Sequence, residues 1–209
     1  LTNQVSSLFK EKEQFAADVS HELKNPIASI MAYTENLQDD TKEISKETIS
    51  KIQDQAIRMN KLVSEISEAA VVDHDLVTKE RERFDLVPLI AEIVEHYSEV
   101  NEYPKLEISY TGPKKLLMNG LPDRIGQVVV NLIENAISFT RPSGQVNITI
   151  SKRWRKNIRI IVEDSGPGVR DELKEMIFQR FFTSRRGSAE EENSSGLGLY
   201  ICKQIVEEP

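Results

Sequence analysis

The sequence lacks the features of disulfide-stabilised, membrane-spanning and nucleic-acid-binding proteins. Its single cysteine, Cys202, excludes an internal disulfide and is typical of a reducing compartment. No apolar run approaches the roughly 20 residues that a membrane helix requires. The formal net charge of -7 argues against nucleic-acid binding and leaves no basic patch for a membrane surface. We therefore expect neither a nucleic-acid partner nor a membrane contact for this chain.

The length of 209 residues allows one large domain or two small ones. The hydrophobic content of 39% is consistent with one compact core and additional exposed helices. Because the chain begins at Leu1 rather than at methionine, we expect it to be a fragment of a longer protein.

The chain is organised around a predicted helix that carries a histidine on its polar face. Apolar residues at three- or four-residue spacing define the opposite face, and they are Phe15, Val19, Leu23, Ile27 and Ile30. His21 lies off that face, and Asn25 follows one turn later on the same polar side. Glu22 is the adjacent carboxylate, and Pro26 is expected to bend the helix because it removes a backbone donor. Taken alone, this pattern also fits a surface histidine on a kinked helix.

Two long helical patterns precede a charged linker. They cover residues 1–38 and about 43–72, with a polar break at 39–42. The second helix has two heptad stripes, one of Ile52, Met59 and Ile66 and one of Ala56, Val63 and Ala70. This apolar face is too wide for two helices to cover, and each large side chain left in water forfeits about 1.5–3 kcal/mol. We therefore predict that residues 1–72 form an antiparallel hairpin that dimerises into a four-helix bundle, with 73–82 as the linker.

Residues 83–209 mix strand and helix patterns, which predicts an α+β domain after the all-helical start. Strands are predicted at 105–110, at 145–151 and at 158–162, the last being typical of a central strand. Helices are predicted at 86–97, 123–138, 172–177 and 197–206, the first two capped by Asp85 and Asp123. Asn119-Gly120 is predicted to form a turn.

Three stretches of this domain indicate a nucleotide site. The first is Asn131-Leu-Ile-Glu-Asn135, whose side-chain oxygens suit Mg²⁺. The second is Asp164-Ser-Gly166-Pro-Gly168, where glycine permits close approach of a ligand and the carboxylate can accept from an exocyclic amine. The third is Gly196-Leu197-Gly198-Leu199, which opens a helix whose N-terminus favours phosphate. Each stretch alone is a weak signal, and the sequence has neither a P-loop nor a dinucleotide fingerprint.

Together with the histidine helix, these stretches resemble the motifs of the sensor histidine kinases of bacterial two-component systems, in the GHKL ATPase superfamily. The resembling segments, in the order of the family, are the H box at 20–26, the N box at 131–140, the first glycine box at 164–168, the phenylalanine box at 178–182 and the second glycine box at 196–199. The resemblance implies a HisKA-type dimerisation module followed by an α/β-sandwich ATP-binding domain.

The same resemblance implies a chemistry and a set of roles. ATP would be the phosphoryl donor with Mg²⁺ as cofactor, and an aspartate of a response-regulator receiver domain would be the next acceptor. His21 would accept the γ-phosphoryl group beside Glu22, and Asn25 would serve a phosphatase step on the phosphorylated regulator. The nucleotide contacts would be Asn131 as the Mg²⁺ ligand, Asn135 at the phosphates, Asp164 at adenine, and Gly166, Gly168, Gly196, Leu197, Gly198 and Leu199. Arg180 or Arg185 is the candidate cation that supports transfer.

Two departures from the family pattern bear on activity. Ser138 and Phe139 stand where the family often has lysine and tyrosine, so that one cation and one phenol are missing. The chain also stops at Pro209, before the Gly-Gly turn and further strands of the family, so we expect an incomplete sheet.

The whole protein is expected to be an inner-membrane sensor, with this chain on its cytoplasmic side. Two alternatives stay open, a GHKL ATPase that performs conformational work and a non-catalytic scaffold regulated by nucleotide.

Overall fold

A computed structural model describes residues 2–35, 46–99, 106–153, 157–183 and 195–207, with the side chains of the first helix described from residue 13 onward. The predicted break at 39–42 and the candidate cation Arg185 lie outside the described residues. The chain divides into two compact units. The helical unit comprises residues 1–70 and 179–197, and the α/β unit comprises residues 71–178 and 198–209.

Two long helices, α1 (Thr2–Glu35) and α2 (Lys46–Thr78), provide most of the helical unit. On α2 the buried residues Gln55, Leu62 and Ala69 repeat every seven positions, and the predicted stripe of Ile52, Met59 and Ile66 lies beside them and is half-buried. The second predicted stripe, of Ala56, Val63 and Ala70, is exposed in the single chain. The wide apolar face is therefore only partly covered. Within the described ranges, no helix is both long and apolar enough to cross a bilayer.

The second helix ends at Thr78, six residues beyond the predicted end at Val72. Val72 is 1% exposed, and Asp75, three residues later, is a charged residue that is also buried. Asp75 forms ion pairs with Lys79, one turn later, and with Arg124. The predicted end of the helix at Val72 was therefore wrong, and residues 73–78 of the predicted linker are helical.

The α/β unit continues from α2 with β1 (Glu82–Asp85), α3 (Leu86–Glu99), β2 (Glu107–Thr111), β3 (Leu117–Gly120), α4 (Pro122–Phe139), β4 (Gln145–Lys152), β5 (Ile158–Asp164) and α5 (Gly198–Glu207). Strands β1 and β3 form an antiparallel pair. The other sheet has the order β2-β4-β5, with β4 parallel to β2 and antiparallel to β5. This arrangement confirms the predicted α+β class.

The core of this unit lies between the three-stranded sheet and the helices α3 and α4. Val146, Ile148 and Ile150 are at most 2% exposed, which confirms the face predicted from their alternation. They pack in one cluster with residues such as Ile90 and Ile133, which are fully buried. Burial of each such side chain contributes about 1.5–3 kcal/mol.

Four local predictions in the α/β unit need correction. Among the described strands β4 is central, whereas β5, predicted to be central, lies beside it and is half-buried at most. Asn119 pairs with Arg83 in a strand instead of forming a turn. Helix α4 begins at Pro122, because proline suits the first helical position, so Asp123 lies inside the first turn and is not the cap. Residues 171–178 form two short 3₁₀ turns instead of an α-helix.

The predicted helix cap at Asp85 is confirmed. The Asp85 carboxylate accepts from the backbone N–H of Val87 at 3.2 Å, as expected of a helix cap, and also from Leu116 at 2.9 Å. Cys202 is 5% exposed, and its thiol donates to the carbonyl oxygen of Val128 at 3.7 Å. Burial raises the pKa of the Cys202 thiol to about 11, so this thiol is a packing group.

Candidate functional site

His21 lies on the solvent side of α1, as the spacing of apolar residues predicted. Its side chain is 76% exposed, and Nδ1 is 3.7 Å from Oε1 of Glu22. This separation is longer than a hydrogen bond but short enough for the carboxylate to stabilise a positive charge on the ring. The arrangement leaves Nε2 as the ring nitrogen turned away from the carboxylate.

The residues after His21 combine a buried proline with an exposed amide. Helix α1 continues through Pro26, whose side chain is fully buried. Asn25 is exposed, and its backbone carbonyl oxygen accepts from the Ser29 hydroxyl at 3.1 Å. The predicted position of Asn25, one turn from His21 on the solvent side, is therefore compatible with contact to a docked molecule.

A second histidine lies at the same distance from a neighbouring carboxylate. His74 is 72% exposed, and its Nδ1 is 3.7 Å from Oδ1 of Asp75. The Asp75 carboxylate, however, is bound by Lys79 and Arg124. The distance between histidine and carboxylate alone does not distinguish the two positions, but the surroundings of the carboxylate do.

In the α/β unit, α4 turns the Asn131 amide towards α5. Its Nδ2 donates to the carbonyl oxygen of Gly198 at 3.3 Å. Because the nitrogen is used there, the amide oxygen is the atom that can bind a cation. Asn135 is half-buried one turn further along α4. The Asn131 amide lies beside the N-terminus of α5, and a helix N-terminus suits phosphates. Its oxygen therefore fits a hard cation such as Mg²⁺, which uses few protein ligands beside phosphates.

Glu134 is adjacent to Asn135 in sequence but faces a different element. Its carboxylate accepts from the hydroxyl of Tyr97 on α3 at 2.9 Å. Burial of the phenol, together with this bond, raises the pKa of Tyr97 well above its ordinary value. One oxygen of the Glu134 carboxylate, which the sequence grouped with the two amides, is therefore used by α3.

Asp164 ends β5 and begins the first glycine-rich stretch. Its Oδ1 accepts from the backbone N–H of Gly166 at 2.8 Å, which fixes the carboxylate and leaves the second oxygen for another donor. A Cβ at Gly166 would lie 2.6 Å from the carbonyl oxygen of Phe139, so only glycine fits there. Gly168 has a φ of +71°, and a Cβ there would meet no atom within 4 Å. The turn is thus closely packed at Gly166 and open at Gly168.

In the helical unit, the second glycine-rich stretch touches the phenylalanine stretch. Gly196 has a φ of +73°, and a Cβ there would lie 2.6 Å from backbone atoms of Phe181 and Phe182. The Ser195 hydroxyl contacts the Glu65 carboxylate on α2 and accepts from the backbone N–H of Leu197. Leu197 itself is fully buried.

Arg180 has a partner that the sequence analysis missed. Its guanidinium lies over the ring of Phe15, with Cζ 5.0 Å from the ring centroid. Phe15 was predicted only as part of the apolar face of α1, and no spacing rule connects two residues so far apart in sequence. The contact shows that this ring also binds a cation.

Comparison with protein families matches both parts of the chain. Residues 11–74 match the His Kinase A (phospho-acceptor) domain, and residues 120–208 match the histidine kinase-, DNA gyrase B- and HSP90-like ATPase. His21 falls within the first match. Asn131, Asp164 and Gly198 fall within the second.

Curated relatives and solved structures agree with these matches. The sensor protein ChvG of Agrobacterium fabrum is 38% identical over 204 residues, which are 93% of this chain and 34% of ChvG. The signal transduction histidine-protein kinase BaeS of Escherichia coli is 30% identical over 209 residues, or 98% of this chain and 44% of BaeS. The chain thus spans less than half the length of these relatives. The structure of histidine kinase ThkA in complex with the response regulator protein TrrA has a TM-score of 0.62 and 28% identity, over 93% of this chain and 54% of that chain.

Proposed function

Because the chain belongs to the sensor histidine kinases of two-component systems, we propose that it transfers the γ-phosphoryl group of ATP to His21 and then to an aspartate of a response regulator. The observation that carries this proposal is the exposed imidazole of His21, 3.7 Å from the Glu22 carboxylate, inside the stretch that matches the phospho-acceptor domain. We assign phosphotransfer to residues 1–72 and ATP binding to residues 83–209, with 73–82 as the junction.

Neutral His21 is the nucleophile. With its proton on Nδ1, facing Glu22, the lone pair of Nε2 attacks the γ-phosphorus. The N–P bond forms as the bond from the γ-phosphorus to the β–γ bridging oxygen breaks, and ADP leaves with that electron pair. The Glu22 carboxylate stabilises the developing imidazolium and takes its Nδ1 proton. In the second transfer the N–P bond breaks as a regulator carboxylate forms an O–P bond.

The adenine end of ATP is assigned to the turn after β5. Asp164 accepts from the exocyclic amine with the oxygen that does not bind Gly166. The tight packing of Gly166 and the open space beside Gly168 let the backbone approach the base.

The phosphate end is assigned to the beginning of α5 and to α4. Backbone N–H groups of Gly196, Leu197, Gly198 and Leu199 hold the phosphates, with Asn135 as a further contact. Mg²⁺, when bound with ATP, supplies charge neutralisation, and the Asn131 amide oxygen is the ligand that we assign to it. Arg180 or Arg185 provides the cation that stabilises the transferring group.

A second copy of this chain is the partner that we propose for the exposed face of α1 and α2. Large apolar side chains remain in solvent there, among them Met31 at 56%, Ile57 at 65% and Val63 at 48% exposure. Their removal from water favours a four-helix bundle built from two hairpins.

A response-regulator receiver domain is the partner that we propose for His21. ThkA, a structural relative, is described in complex with a response regulator protein. The exposed Asn25 amide can orient a water for hydrolysis of the regulator's aspartyl phosphate, so we assign a phosphatase role to it. Because ATP is the donor, we place the chain on the cytoplasmic side of a membrane-anchored sensor.

Incubation with γ-labelled ATP and Mg²⁺ tests the proposal against its rivals. Acid-labile label on the protein is the expected result, and α-labelled ATP is the control that must leave the protein unlabelled. Release of free phosphate without labelled protein would indicate an ATPase that performs conformational work. Neither label nor phosphate would indicate a scaffold that is only regulated by nucleotide.

A further inference from the structure

Ser165 follows the last residue of β5 and begins the turn to which we assign adenine. Its backbone N–H donates to the carbonyl oxygen of Gln145 at 3.0 Å, which continues the ladder between β4 and β5. In the other direction, the backbone N–H of Gln145 donates to the Ser165 hydroxyl oxygen at 2.9 Å. Opposed residues of an antiparallel pair ordinarily exchange two backbone hydrogen bonds. Here the Ser165 side chain takes the place of its own carbonyl oxygen, so the ladder ends at this residue.

The alternation of β5 places Asp164 on the side of the sheet that carries the helices. Ile160 and Val162 pack against the core between the sheet and the helices α3 and α4, and residues two positions apart share a face of a strand. Asp164 continues that row. The backbone of Phe139, the last residue of α4, approaches Gly166 on this side. Asp164 is exposed there, as a group that binds a ligand must be.

The orientation of the Asp164 carboxylate depends on the turn that follows it. Its Oδ1 accepts from the backbone N–H of Gly166, two residues later, at 2.8 Å. Such a bond requires the backbone to turn between the two residues instead of continuing as a strand. Because the Ser165 hydroxyl binds the Gln145 N–H, the chain can leave β4 at this point. The Ser165 hydroxyl and the Asp164 carboxylate are therefore held by the same turn.

The connection between α4 and β4 leaves room for the Ser165 hydroxyl. A Cβ at Gly144 would lie 2.5 Å from the hydroxyl oxygen, so a side chain there would displace it. The backbone N–H of Gly144 donates to the carbonyl oxygen of Arg141 at 2.9 Å, and the carbonyl oxygen of Gly144 accepts from Glu107 at 3.1 Å. The backbone against which the hydroxyl rests is thus fixed by its own hydrogen bonds.

We propose that Ser165 is a positioning residue that orients the Asp164 carboxylate and thereby sets the selectivity of the site for the adenine amine. The inference rests on the proposed function, in which the free oxygen of Asp164 accepts from that amine. Ser165 itself does not contact the base and acts through the turn at Gly166. A hydrogen bond depends on direction as well as on distance, so a rotated carboxylate loses its bond to the amine while the phosphate contacts at α5 remain.

Two nucleotides separate this role from a general effect on the site. Purine riboside triphosphate has the ring, ribose and phosphates of ATP but lacks the exocyclic amine. The ratio of its Kd to the Kd of ATP therefore measures the amine contact, and we expect a ratio of about ten for the wild type. Ser165→Ala should raise the Kd of ATP about fivefold and leave the other Kd unchanged, so that the ratio falls to about two. Ser165→Thr keeps the hydroxyl and should retain the wild-type ratio.

The ratio does not respond to a loss of folded protein. The fraction of competent protein enters both apparent Kd values by the same factor and cancels. Ser165→Cys keeps the size of the side chain but is a weaker acceptor, so it should also lower the ratio and serves if Ser165→Ala folds poorly. Ser109→Ala is the matched control. The Ser109 hydroxyl also joins two strands, by donating to Asn147 at 2.6 Å, and its loss should leave the ratio unchanged.

Asp164→Asn distinguishes failure of this inference from failure of the assigned adenine site. Its single side-chain oxygen is used by Gly166, so the amine faces another donor and the ratio should fall to about one. If it does, an unchanged ratio in Ser165→Ala and Ser165→Cys overturns the role of Ser165 alone, even where both Kd values rise together. A wild-type ratio near one, or a wild-type ratio in Asp164→Asn, removes the adenine assignment and this inference with it.

Discussion

The carboxylate of Asp75, near the end of α2, accepts hydrogen bonds from both Nε and Nη2 of Arg124 in the first turn of α4, at 3.2 and 2.5 Å. Lys79 adds an ion pair at 2.8 Å, and Asp75 is only 5% exposed. These contacts fix the last turns of α2 as part of the α/β unit. They also explain why a charged segment, predicted as a linker, is helical.

Loss of this carboxylate charge should destabilise the α/β unit. Asp75→Asn leaves two cations without their buried counter-charge, so we expect its Tm to fall by several degrees. Asp123→Asn is the matched control, because Asp123 is 87% exposed and 4.0 Å from the same Lys79, and its Tm should change by no more than about one degree. Equal melting of both variants and the wild type would show that the buried pair adds no stability.

The same pair should produce an acid-sensitive step in stability. Lys79 and then Arg124 lower the pKa of Asp75 from 3.8 to about 2. Because the pKa is lower in the folded state, the stabilisation is complete above about pH 4 and is lost as the pH falls towards 2. Denaturant unfolding at several pH values should show that the Asp75→Asn variant loses less stability than the wild type between pH 4 and 2. Parallel losses in the two proteins would contradict the assignment.

Patterns that depend on neighbours in sequence were predictable, and pairs that depend on tertiary contacts were not. The alternation of Val146, Ile148 and Ile150 specified a buried strand face, and helical spacing placed His21 in solvent. The helical state of Asp75 was missed because its partner Arg124 lies 49 residues away. The hydrogen bond from Tyr97 to Glu134 was missed for the same reason, since the two residues are 37 positions apart.

The same limit applies to the predicted nucleotide site, where the residues were identified but their tertiary contacts were not. The glycine at 166 was predicted from its motif, but its reason, the approach of the Phe139 carbonyl oxygen, is visible only in the fold. Phe15 was predicted only as part of the apolar face of α1, so its contact with Arg180 was missed. A single sequence therefore identifies most candidate residues but not the contacts that orient them.

Two substitutions should separate adenine binding from metal-dependent transfer. Asp164→Asn replaces an acceptor that faces the adenine amine, so we expect the Kd for ATP to rise about tenfold. Asn131→Ala removes the assigned Mg²⁺ ligand and should reduce the Mg²⁺-dependent rate more than the nucleotide affinity. Nucleotide titration and initial rates on each variant provide the two readouts. Asp171→Asn, an exposed carboxylate paired with Lys174, is the control and should alter neither quantity. Unchanged affinity in Asp164→Asn would remove its adenine role.

Substitutions of Asn25 and Glu22 should affect different reactions, the first the dephosphorylation of the regulator and the second the autophosphorylation of His21. Asn25→Ala removes the amide that orients water, so it should keep autophosphorylation and lose phosphatase activity. Glu22→Ala removes the carboxylate beside the nucleophile and should chiefly slow autophosphorylation, by roughly 100-fold. The readout is the decay of a phosphorylated regulator with wild type or variant added in parallel. If decay is equally fast with Asn25→Ala, the amide has only a structural role near Pro26.

The most direct test of the account is the location of the phosphoryl group after incubation with ATP and Mg²⁺. His21 and His74 are both exposed and lie at the same distance from a neighbouring carboxylate, so His74→Ala is the matched control for His21→Ala. We expect His21→Ala to bind ATP with wild-type affinity and to carry no label, while His74→Ala is labelled as the wild type is. Label retained on His21→Ala would contradict the central claim that His21 is the phosphoryl acceptor.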